Sequence, residues 1–155
     1  MGGLASVPHY RRIGPGSPLP EIKSLAPFKA IVVLEANYTI EWQNDVSDWL
    51  VAEGCRYMMA WGPNCSSWDD SVDWSDIKAA GGEPDDAKFV MTTWHEDETL
   101  EDVFWFAQFC ANFSYDEVEL INAVILHISR DEREEELLNL FTQAKSLADR
   151  EATGT

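Results

Sequence analysis

The sequence predicts an α/β domain with a mainly parallel sheet, on three observations: short continuous apolar runs, helix-period segments between them, and turn residues at the joints. The clearest run is Ala30-Ile31-Val32-Val33-Leu34, β-branched and without alternation, as expected of a strand covered on both faces. It lies within a first strand over 28–35, which should be central. Trp42, Val46, Trp49 and Leu50 recur at i, i+4, i+7 and i+8 and define a helix ending at Gly54. A second strand follows over 57–61. After Gly62-Pro63-Asn64, the segment Ser66-Ser67-Trp68-Asp69 opens a short irregular helical stretch that stops by Gly81-Gly82. A third strand is expected over 89–94. Thr99 with Asp102 then caps a helix running to about Phe113, on which Glu101, Gln108 and Asn112 form one narrow polar stripe. The last strand lies within 120–128. Ser129 and Glu132 form a capping box for a terminal helix with Leu137, Leu140, Phe141, Ala144, Leu147 and Ala148 inward.

Four strands and four helices in alternation close into a three-layer α/β/α sandwich, flavodoxin-like or Rossmann-like in outline, with expected strand order 2-1-3-4. Residues 1–27 hold five of the seven prolines and read as an extended arm. Residues 28–150 form the single α/β domain, and 151–155 a disordered tail. A chain of 155 residues leaves no room for a second domain of ordinary size.

Composition narrows the function. No apolar run approaches the ~20 residues needed to cross a bilayer, and no signal-like apolar segment follows Arg11 and Arg12. Three cysteines, Cys55, Cys65 and Cys110, include no CxxC pair, which suggests reduced thiols and a cytoplasmic location rather than a disulfide framework. The net charge of -17 repels phosphate backbones and anionic lipid, so neither nucleic acid nor membrane is expected as a partner. The N-terminal thirty residues are mildly basic (Arg11, Arg12, Lys23 and Lys29 against Glu21), so the body is more negative still. Such a surface either confers solubility or steers a basic partner.

In a parallel sheet the carboxyl ends of all strands share one edge, and ligands gather there where the winding reverses. Glu35, Asn37 and Tyr38 follow the first strand, and Asn64, Cys65, Ser66 and Asp69 the second. His95, Glu96, Asp97 and Glu98 follow the third, and His127 lies near the end of the fourth. The stretches WGPNCSSWDDSVD, from Trp61 to Asp73, and MTTWHEDETLEDVFWFA, from Met91 to Ala107, resemble the core of a bacterial family of small acidic proteins of unknown function. The resemblance covers residues 57–128 and implies a bacterial α/β domain without specifying chemistry.

Several chemistries compete for that edge. Cys65, ahead of a helix start, can pair with His95 as nucleophile and base, with Asp69 as the supporting carboxylate. His95 with Asp97 and Asp69 or Glu35 can bind a divalent metal, although three loops would each supply one ligand, and no metal is expected. Asp69, Ser71 and Asp73 imitate the start of a calcium loop, but Trp74 stands where that loop needs glycine. No glycine-rich phosphate loop is present, and no cofactor is expected. His127 and His9 read as structural. Trp61, Trp68, Trp74 and Trp94 cluster beside Asp69, Asp70, Asp73, Asp76, His95, Glu96, Asp97 and Glu98, and indoles ringed by carboxylates suit the docking of a cationic protein. The ordinary alternative is that these indoles fill a core. Trp105 and Phe109 flank the polar stripe of the third helix, which makes a homodimer through it a further reading. The leading expectation is a non-catalytic acidic domain of immunity or antitoxin type. A small hydrolase or transferase using Cys65, His95 and a carboxylate comes second, and a nucleotide or signal-binding module third.

Overall fold

A computed structural model describes residues 8–79, 81, 90–109 and 122–152, with side chains described as far as residue 144. In chain order the elements are β1 (His9–Ile13), β2 (Phe28–Leu34), α1 (Ile40–Glu53), β3 (Cys55–Trp61), α2 (Ser66–Ala79), β4 (Met91–His95), α3 (Leu100–Phe109), β5 (Asn122–Ile128) and α4 (Glu134–Ala152). All strand pairs are parallel, and the sheet order is β1-β5-β2-β3-β4.

The apolar run of β2 sits in the middle of this sheet, every residue buried, as its lack of alternation requires. Alternate side chains feed two separate cores. Ala30, Val32 and Leu34 pack with Val46 and Leu50 of α1 and Trp68 and Val72 of α2. Ile31 and Val33 pack with Val103, Phe104 and Ala107 of α3 and Leu137, Phe141 and Ala144 of α4. Two helices on each face give the three layers.

The expected order 2-1-3-4 is corrected in two respects. The four anticipated strands run β5-β2-β3-β4, so the chain steps twice in one direction before turning back, because α1 and α2 cover the same face. A polar ladder holds those two helices together: Ser47 Oγ meets Ser71 Oγ at 2.7 Å, Gln43 Nε2 donates to Ser67 Oγ at 2.8 Å, and Ser75 Oγ donates to Asp48 Oδ1 at 2.6 Å. Small hydroxyls at these positions allow close approach while satisfying each buried donor.

The second correction is a fifth strand. Residues read as an arm outside the core supply β1, which pairs with β5 in the register His9↔Val124 to Ile13↔Ile128 and buries Ile13 completely. Beyond β1 the arm is tied to the body, since Trp49 Nε1 donates to the Pro20 carbonyl (2.9 Å) and the Ile22 amide donates to Glu53 (2.6 Å).

Helix ends follow the predicted signals unevenly. Thr39 caps α1 by accepting from the Trp42 amide, and Gly54 closes it at φ 105°. Thr99 accepts from the Asp102 amide, as expected. Helix α2 is a regular 14-residue helix rather than an irregular stretch. Ser129 caps only a turn, accepting from the Asp131 amide, and α4 begins later, at Glu134. The expected tail is corrected at its start, since α4 runs on to Ala152; the predicted contributions of Phe89, Cys110, Asn112, Phe113, Leu147 and Ala148 and of 153–155 fall outside the described residues or side chains. No described helix is long and apolar enough to cross a membrane.

Candidate functional site

The reversal of winding falls between β2, whose following helix α1 lies on one face, and β5, whose following helix α4 lies on the other. A crevice opens there by topology. It is a cleft of about 1330 Å³ on the α1 and α2 side. The loop after β2 lines it with Glu35, Asn37 and Tyr38, and the loop after β3 with Asn64 and Ser66. Asp70 and Trp74 come from α2, Ile40 and Asn44 from α1, Arg12 from β1, and Arg130 from the turn after β5. Gly62 makes the β3 loop turn this tightly: its φ is 121°, and an added Cβ would stand 2.7 Å from the Leu34 carbonyl oxygen.

Beneath the cleft edge runs a hydrogen-bonded chain that the sequence did not reveal. The Tyr10 hydroxyl accepts the Arg133 amide (3.0 Å), which leaves its own proton to His127 Nδ1 at 2.6 Å. The opposite nitrogen, Nε2, then carries the ring proton and donates to Glu35 Oε1 at 2.6 Å. Arg133 clamps both oxygens of Glu35 (2.5 and 2.6 Å) and reaches Glu136 with its remaining donors (2.9 and 2.7 Å). Burial pushes the Glu35 carboxyl upward, but the bonds from Arg133 and His127 outweigh it and hold the group below its ordinary value. His127 is wholly buried, in keeping with the structural role expected for it. Its partner Tyr10 lies in the proline-rich arm, where nothing in the local pattern marks it.

The nucleophile, base and carboxylate anticipated from the sequence are not assembled. Cys65 is fully buried among the apolar side chains under α1 and α2, and burial raises its thiol pKa. The His95 backbone, not its ring, faces that sulfur. The imidazole belongs to the α3 side, edge-on to Phe106 at 4.9 Å, with Thr93 Oγ1 at 2.9 Å from Nε2 and Glu98 Oε2 at 3.0 Å from Nδ1. Asp69 instead accepts from the Thr92 hydroxyl, which also reaches Asp73 at 3.2 Å. Among the described residues no three His, Cys, Asp or Glu side chains gather as metal ligands.

The tryptophans divide. Trp68 is sealed in the core, donating to the Tyr38 hydroxyl (2.9 Å), and Trp61 is half-buried with its Nε1 on the Glu98 carbonyl (2.7 Å). Trp74 on α2 is 66% exposed, and Trp94, on the described edge strand β4, is 46% exposed. Register places Trp94 beside Ala60, so its side chain leaves the sheet on the α2 face. Asp70, in the cleft lining, and Glu96, Asp97 and Glu98, in the loop after β4, are exposed, and Asp69, Asp73 and Asp76 are half-buried. Burial and then the Asp69 charge push the Asp73 carboxyl up. Cys55 is buried, and burial drives its thiol to about 12.

Fold and cleft together define the class: a three-layer α/β/α domain with a parallel sheet and a crevice at its switch point. The chain belongs to the family described as domain of unknown function (DUF7684), whose model matches residues 8–144, a wider span than the resemblance over 57–128. No curated protein and no solved structure matches it.

Proposed function

We propose that this protein is a non-catalytic binding domain that docks a cationic protein on the flank formed by α2, β4 and the loop after β4, as an immunity protein or antitoxin masks a basic surface. The observation that carries the reading is the exposure of Trp94 on the described edge strand, next to the α2 face that carries Asp69, Asp73 and Asp76. Indoles left in water forgo a large burial gain that a partner can restore, about 25 cal/mol per Å² of apolar area covered. The one basic residue of α2, Lys78, is turned to α1, where it pairs with Asp48 at 3.2 Å. The Asp73 carboxyl is pushed up first by burial and then by the Asp69 charge, and an incoming lysine or arginine relieves the second of these. A hydrolase or transferase built on Cys65, His95 and Asp69 has weaker support, because the thiol is buried and both ring nitrogens of His95 are engaged.

The test is site-specific photo-cross-linking in the native host, with the reactive group at position 94 and, as control, at Asn139, an exposed site on α4. The reading expects a discrete product at position 94 whose partner is a basic protein. That product should fade when salt rises from about 0.01 to about 1 M and the Debye length shrinks from about 30 to about 3 Å. It should also vanish in Glu96→Lys, a reversal at a side chain exposed in the loop after β4. A product shared with the control site, or indifferent to salt and to charge reversal, would sink the idea.

A further inference from the structure

We propose that the switch-point cleft is a separate binding site, for a small organic anion with a single anionic head and a flat apolar body. The first support is a local inversion of charge. The chain carries -17, yet the cleft lining presents Arg12 and Arg130, and neither forms an ion pair with a described carboxylate. Arg12 is steadied by one bond, Nη1 to the Ser129 carbonyl at 3.0 Å, which leaves its remaining donors free for a carboxylate or phosphate. Of the two acids in the lining, Glu35 is already matched by Arg133 at 2.5 Å, and only Asp70 stands unpaired. In a protein with so few cations, two unmatched arginines beside one crevice mark where a negative group is tolerated.

The second support is independent and apolar. Among the described residues four large hydrophobic side chains are exposed, and the two most exposed of these, Ile40 at 75% and Trp74 at 66%, both line this cleft, along with Tyr38. Concave sites for small molecules combine such surfaces with a few polar groups that fix orientation. Asn37, Asn44, Asn64 and Ser66 supply the latter here. The N-termini of α1 and α2 also open onto the lining, through Ile40 and Ser66, and add positive potential at the same edge. An amphiphilic anion satisfies both halves of the wall at once. A polyphosphate does not, since no glycine loop is present to cradle it and the surrounding field opposes a multiple charge.

Titration of the isotope-labelled full chain, followed by nuclear magnetic resonance, tests this with three probes. Indoleacetate offers a ring with a carboxylate, adenosine monophosphate a ring with a phosphate, and tryptamine the indole ring with a cation. The site expects one of the two anions to move the Trp74 indole resonance, assigned with Trp74→Phe, together with the arginine side-chain resonances in a saturable manner. The anion that binds more tightly identifies the head group as carboxylate or phosphate. Arg12→Gln/Arg130→Gln should weaken that anion at least ~tenfold, about 1.4 kcal/mol, while the dispersed amide spectrum reports that the fold is intact. The proposal is overturned if tryptamine binds as tightly as the anions, if the arginine variant retains full affinity, or if neither anion shifts Trp74 at ~10 mM.

Discussion

At the scale of single residues, the feature with the largest consequence is His127, held between Tyr10 and Glu35 with no exposure to water. Tyr10→Phe removes one oxygen but strands two partners, His127 Nδ1 and the Arg133 amide. An unsatisfied buried polar group costs about 1 to 3 kcal/mol, so a loss of that order is expected in urea unfolding. Glu35 adds a pH signature. Its carboxyl is held below its ordinary value of 4.5, so the folded state binds the proton less readily than the unfolded chain. Its stabilisation is therefore complete above pH ~4.5 and is lost as pH falls through the lower folded value. Glu35→Gln should be less stable than the parent at neutral pH, and the gap should narrow in acid. Asp73 carries the opposite sign. Raised above its ordinary 3.8, it weighs against the fold once ionised, so Asp73→Asn should raise the melting temperature at neutral pH and lose that advantage below pH ~3.8. The buried thiols give a simpler expectation: alkylating reagents at mildly basic pH should spare Cys55 and Cys65 until denaturant is added, as peptide mass spectrometry will register.

Secondary-structure elements show which parts of the fold could be read from local pattern and which could not. Strand β2, the Gly54 stop and the Thr99 cap are legible because each depends on a few adjacent residues. The direction of winding is not, because it depends on α1 and α2 meeting through Ser47 and Ser71, and a serine at one helical position does not advertise a neighbour. Strand β1 is hidden for a different reason. His9-Tyr10-Arg11-Arg12-Ile13 has little apolar content and stands among prolines, and its partner strand is more than a hundred residues away. The cleft edge was legible as a rule of parallel sheets, and Glu35, Asn37, Tyr38, Asn64 and Ser66 are found there. Arg12 could not be placed on it without knowing that its segment is a strand. Nor could Cys65 and His95 be kept apart, since position in a loop does not say which face of the sheet a side chain takes. Gly62 joins element to site. Gly62→Ala would force a left-handed φ on a residue with a Cβ and press it on Leu34, for an expected loss of at least ~2 kcal/mol in equilibrium unfolding.

For the molecule as a whole, a charge of -17 makes self-repulsion a standing opponent of compactness. The melting temperature should accordingly rise with added monovalent salt, the reverse of the effect expected on a charge-steered complex. The arrangement of strands has a further consequence, for how the sheet is completed. β5 is clasped between β1 and β2, two segments that precede it by roughly a hundred residues, and Tyr10 lies 117 positions from the histidine it bonds. Closing so long a loop costs entropy before any contact repays it, and such non-local pairings are formed slowly. During synthesis, β2, β3 and β4 are already made while the slot beside β2 stands open, its row of amides and carbonyls unpaired. Until β5 fills that slot, the nascent chain offers a bare strand to its neighbours, so the yield of folded protein is set by how fast one late segment of seven residues finds its place.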